Sequence, residues 1–261
     1  MATANANRIF ALIRYMLATA VRDRLFLALL VSLVVMAAMS IFLGGSAITE
    51  QQQMATAYMG ATSRALLVAG MVLFVAFHVQ RAMQDGEIAL ILSRPISRST
   101  FVLGYGASMM AVATICTVFA GILVAVAAHP SPGGFAQWCL SLLLEVNLMA
   151  LVAMFFGLML RSAIVTALGC FGFYVLGRMS GLLGGLAEHA GQGSLVDRLL
   201  GKGFELVSII IPRLDFFARS EWLVYGAGDE TITVIHMAGQ SLVFIPLILA
   251  LAIFDFSRKQ F

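Results

Sequence analysis

ALLVAGMVLFVAFHV (65–79), QRAMQDGEIALILSRPISRS (80–99) and FVLGYGASMMAVATICTVFAGILVAVAA (101–128) stand in succession, and their alternation decides the fold. The flanking runs are apolar. The middle one carries Arg81, Asp85, Glu87, Arg94 and Arg98, too much charge to lie in hydrocarbon. Its centre, 87–92, is mostly apolar and is expected to form a short helix at a membrane surface. Pro95 ends that helix, because proline disfavours helical backbone at the residue before it. A short helix set between two spans is a surface on which another protein can push.

Composition extends this reading to the whole chain. Of 261 residues, 61% are hydrophobic and 11% charged, against about 25% charged in soluble domains. Several apolar runs reach the ~20 residues that cross a bilayer. The expected class is therefore all-α: one polytopic transmembrane domain over 1–261. A formal charge of +3 makes no case for nucleic acid. Cys116, Cys139 and Cys170 lie inside apolar runs, odd in number and without ligand spacing, so they are read as packed thiols. There is no phosphate-binding Gly-x-x-x-x-Gly-Lys-Ser/Thr, no Ser/His/Asp set and no metal-spaced Cys or His pair, so neither an enzyme nor a metal site is expected. His78 is either a hydrogen-bonded bundle residue or a proton relay. No cleavable leader pattern is read at the start.

Taken in order, 8–24 places Ile9, Ile13, Met16, Leu17 and Ala20 on one helical face and Arg14, Ala18 and Arg22 on another. That is the pattern of a helix lying in the membrane interface, its basic side toward lipid headgroups. Six spans are expected at about 25–43, 58–79, 101–128, 135–160, 163–186 and 232–256, with Arg64 snorkelling from the outer end of the second. With the amino terminus inside, ten of the sixteen Lys and Arg residues fall on inner segments, and the short outer loops are nearly devoid of them. Both termini are thus expected to be cytoplasmic. The mixed segment 187–230 is too polar to span and too apolar to float, and is expected to form short helices lying in, or dipping into, the outer leaflet.

Two features inside the spans carry further expectations. Gly177, Gly181 and Gly185 recur every fourth residue, so one helix face admits another backbone closely, either within the subunit or at a dimer seam. Glu145 and Arg178 each cost roughly 2.5–3.5 kcal/mol if unpaired at a span centre. Measured from the outer surface they lie about 15 Å and about 12 Å deep at ~1.5 Å per residue. They are expected to pair, within a subunit or across a seam and with Asn147 nearby, as a structural lock or as part of a substrate path.

The run Gly86 to Arg98, with Asp85 beside the glycine, a leucine-rich turn and Pro95-Ile96-Ser97-Arg98, resembles the cytoplasmic signature of ATP-binding-cassette (ABC) type-2 exporter permeases. Glu87 stands where threonine is usual in that family. The resemblance implies that 80–99 is a coupling segment, docking an ATPase through Asp85, Glu87, Leu90, Ile91, Leu92, Pro95 and Arg98. Two copies of that separate subunit would bind ATP and Mg, with no cofactor in this chain. It also implies a homodimer or a heterodimer with a related permease, in a bacterial inner membrane. Pro212-Arg-Leu-Asp215-Phe-Phe217 is similar to an element before the last span of some members, which implies an outer gate at Pro212, Asp215 and Arg219. Some such permeases pass mechanical work to an extracytoplasmic partner instead of moving a substrate, the alternative function.

Overall fold

A computed structural model describes residues 10, 13–15, 17–46, 51–93, 97–128, 130–190, 211–217, 219–226 and 231–258. Among them there is no strand. The elements are α1 (Arg24–Ser46), α2 (Gln51–Gln84), α3 (Glu87–Leu92), α4 (Arg98–Ala128), α5 (Pro132–Met159), α6 (Ala163–Ala190), a 3-10 turn (Leu214–Phe217), α7 (Glu221–Tyr225) and α8 (Thr231–Arg258). Six of them, α1, α2, α4, α5, α6 and α8, are long and apolar enough to cross a bilayer, and the chain is an integral membrane protein.

Local chemistry sets the ends of these helices. Residues 17–22 are helical, with Ala20 buried and Arg22 exposed, and Asp23 interrupts the run. Asp23 Oδ1 then accepts the Leu25 N–H at 2.9 Å, which caps α1. Gly86, at φ 72°, ends α2 in a left-handed conformation that a side chain would strain, and turns the chain into α3. Ser97 Oγ accepts the Thr100 N–H at 3.2 Å and caps α4. Pro132 opens α5, where its missing N–H costs nothing.

α2 is longer than expected. It runs through Gln51–Gln84, taking in the polar QQQ at one end and Gln80 to Gln84 at the other. Hydropathy marks where a side chain leaves hydrocarbon, whereas the helix continues through good helix formers until Gly86. Gln80 is accordingly buried: its Nε2 donates to Gly157 O at 2.9 Å and to Leu160 O at 2.5 Å, satisfying carbonyls at the end of α5.

α5 is the most buried of the six and packs against α2, α4, α6 and α8, while α1 lies along α2. One end of the bundle gathers Asp23, Arg81, Arg98 and Ser257. At the other, α7 seats Trp222 against Gly134 of α5 and Leu223 against Gly60 of α2. Of the segment expected to lie in the outer leaflet, 191–210, 218 and 227–230 fall outside the described residues, and its start, through Ala190, continues α6. The remainder is the 3-10 turn and α7, both folded onto the bundle.

Candidate functional site

Two ionic clusters stand out. The central one is built on Glu145, which α5 places at the fully buried middle of its length, 0% exposed. From α2, Arg64 Nη1 donates to Glu145 Oε2, while its Nη2 donates to Ser141 Oγ at 2.8 Å. Trp138 stacks under the same guanidinium, 5.8 Å from Cζ to the ring centre. From α6, Arg178 Nη2 lies 2.9 Å from Glu145 Oε1. Arg178 also donates from Nε and Nη2 to the Tyr174 hydroxyl one turn earlier, at 2.9 and 2.7 Å. The Arg64 side chain is 3% exposed and that of Arg178 is 21% exposed. One carboxylate therefore holds two guanidiniums, leaving an excess positive charge in the bundle centre on the side of Arg178.

Arg64 corrects the expectation that it snorkels to the outer interface. Because α2 starts at Gln51, Arg64 lies thirteen residues inside the helix, about 20 Å along it. Asn147 Nδ2 donates to Leu143 O at 2.7 Å and to Thr114 Oγ1 at 3.4 Å, toward α4.

Gly177 and Gly181 of α6 face the chain's own 3-10 turn. A Cβ at Gly177 would stand 2.9 Å from Leu214 Cδ1, and one at Gly181 would stand 2.5 Å from Asp215 Oδ2. A Cβ at Gly185 would meet nothing within 4 Å among the described residues. Two of the three glycines thus serve packing within the subunit. Asp215 is tied to α6 by Ser180 Oγ at 3.1 Å and to Arg213 Nη2 at 3.0 Å. Pro212 is buried beside them, and Arg219 is partly buried just beyond the turn.

The second cluster lies at the end of the bundle where α1 begins and α2 finishes. Asp23 Oδ2 accepts Arg81 Nη1 at 3.1 Å and stands 4.0 Å from His78 Nδ1. His78 stacks on Phe74, ring centres 5.4 Å apart. Glu87, the first residue of α3, lines a small cavity of about 180 Å³ with Thr19, Arg22, Asp23, His78 and Arg81. Sequence reasoning missed Asp23. Its one legible signal is an acid followed directly by a long apolar run, the pattern of a helix cap.

α3 presents its residues differently from expectation. Ile88 is buried and Ile91 packs against the core, so the expected anchor of Leu90, Ile91 and Leu92 does not point outward as a block. Leu90 is 69% exposed. The Leu92 side chain and all of Pro95 lie outside the described residues. Asp85 is exposed in the turn before α3. Arg98 Nη1 donates to Ser257 O at 2.8 Å, so this arginine closes the last turn of α8 as well as starting α4.

Among the described residues no group of three His, Cys, Asp or Glu side chains is placed to hold a metal ion. No protein-family model matches this chain, and no curated protein matches it. What fold and sites define together is a polytopic helical membrane protein with an ionic cluster at its centre and another where a short helix joins two spans.

Proposed function

We propose that this chain is the membrane subunit of an ABC-type exporter, driven by a separate ATPase that docks on α3. The observation that carries this reading is the presentation of Leu90. A six-residue helix is held between two spans by the Gly86 turn and the Ser97 cap, rooted by Ile88, and presents the Leu90 side chain 69% exposed. A short element rooted on the bundle and apolar on its outer face suits a partner that pushes or pulls. Glu87 shares a cavity with Asp23 and Arg81, so displacement of α3 bears on the joint of α1 and α2. ATP and Mg belong to the partner. Both termini and α3 face the cytoplasm of a bacterial cell in this reading, and the 212–217 turn and α7 cover the opposite end of the path. With Gly177 and Gly181 covered, the α6 face bearing Leu168, Val175, Met179 and Leu182 is left to meet a second permease or lipid.

The test is co-purification with candidate ATPases, with Leu90→Arg as the variant. Loss of an anchor of ~2 kcal/mol or more corresponds to at least a ~30-fold weaker complex. Leu90 is exposed, so the variant should insert and melt as the parent does. Undiminished capture of an ATPase by the variant removes α3 as the dock.

A further inference from the structure

Beside the Asp23–Arg81 pair lies a larger cleft, of about 450 Å³, lined by Arg22, Asp23, Arg24, Leu25, Phe77 and Arg81. We infer that this cleft is a specific binding site for the headgroup of an anionic phospholipid. Its volume lies in the range of small-molecule sites, roughly 300–1,000 Å³. Its lining holds three arginines and a single carboxylate. That carboxylate is already committed, Oδ1 to the Leu25 N–H at 2.9 Å and Oδ2 to Arg81 at 3.1 Å. The lining is therefore cationic toward any newcomer. Arg22 and Arg24 are exposed and the Arg81 side chain is 55% exposed, so their N–H groups are open to a phosphate.

Position selects an amphiphile over a free anion. The cleft sits at the first residues of one span and near the end of another, where hydrocarbon gives way to headgroups. Leu25 and the exposed Phe77 ring form its apolar side. A phosphodiester meets the arginines while its acyl chains continue along α1, whose Leu27, Val31, Val34 and Val35 are exposed. The occupant bridges the amino-terminal helical residues to α1 and α2. This reading needs no ATPase and stands or falls apart from the proposed function.

The test uses the purified full chain in non-ionic detergent, titrated with dioleoylphosphatidylglycerol and read by native mass spectrometry. Dioleoylphosphatidylcholine and inorganic phosphate are the parallel arms. Retention of phosphatidylglycerol over phosphatidylcholine is expected. Arg22→Gln with Arg24→Gln should weaken it roughly 25-fold, at about five-fold per arginine, while Arg14→Gln, another exposed arginine of the amino-terminal helical stretch, should leave it unchanged. Equal weakening by Arg14→Gln would reduce the effect to general surface charge and overturn the site. Displacement of the lipid by equimolar inorganic phosphate, or unchanged retention in the double variant, would overturn it too.

Discussion

Glu145 and Asp23 are both buried carboxylates that hold arginines, yet they stand in opposite regimes. Glu145 sits at the bundle centre between two guanidiniums, one of them 3% exposed, with Ser141 and Trp138 closing the remaining space. Asp23 sits at the end of the bundle, where one oxygen caps a helix and the other meets an arginine 55% exposed to its surroundings. The same pairing thus has different weight. In the centre Glu145 is fully buried, so a missing partner leaves a buried charge uncompensated and balance of charge dominates. At the end, solvent and headgroups screen the pair, and the cap hydrogen bond contributes more than the ion pair.

The sharpest way to break this contrast is to remove the central carboxylate. Glu145→Gln strands two arginines, and a loss of about 3–5 kcal/mol or more is expected. Arg64→Gln and Arg178→Gln each leave a balanced pair and should cost less. Arg178→Gln should be the mildest, because Arg178 is the more exposed of the two arginines. Thermal melts of the purified variants give the order. Equal losses for all three would mean that packing, and not charge balance, sets the stability of the centre.

Gly181→Leu probes the same region without touching a charge in the cluster. Its side chain would drive into Asp215 and displace the 3-10 turn from α6. An overpacking loss of about 1–3 kcal/mol is expected, with the oligomeric state unchanged on size-exclusion chromatography with light scattering. Dissociation of an oligomer by this substitution would instead put the glycine face at a seam between subunits.

The smallest effect belongs to Asp23. Asp23→Ala should cost ~1 kcal/mol through the lost cap, whereas Asp23→Asn, which keeps a capping oxygen, should recover most of it. If Asp23→Asn melts as early as Asp23→Ala, the ion pair outweighs the cap and the two clusters are more alike than their surroundings suggest.

These contrasts also explain what was legible beforehand. The six spans were, because twenty apolar residues in a row have no other stable use. Glu145 and Arg178 were conspicuous as charges inside such runs. Arg64 was not, because the hydropathy boundary near residue 58 hid seven further helical residues and made a central arginine look peripheral. The partnership of Asp23 with Arg81 joins residues 58 positions apart, and a spacing set by tertiary packing leaves no local pattern. The division of α3 into inward Ile88 and Ile91 and outward Leu90 follows helical periodicity. The composition of the run, read as a block, concealed it.

α2 joins the two regimes in one rigid body. It carries Arg64 into the central cluster and His78, Gln80 and Arg81 into the contacts at its end, seventeen residues or about 25 Å away from Arg64 to Arg81. Its 34 residues extend about 51 Å, well beyond the ~30 Å of hydrocarbon. Such a rod is geared at both positions. Because one helix carries both arginines, a displacement of α2 along its axis would change the Arg64–Glu145 and Arg81–Asp23 contacts together.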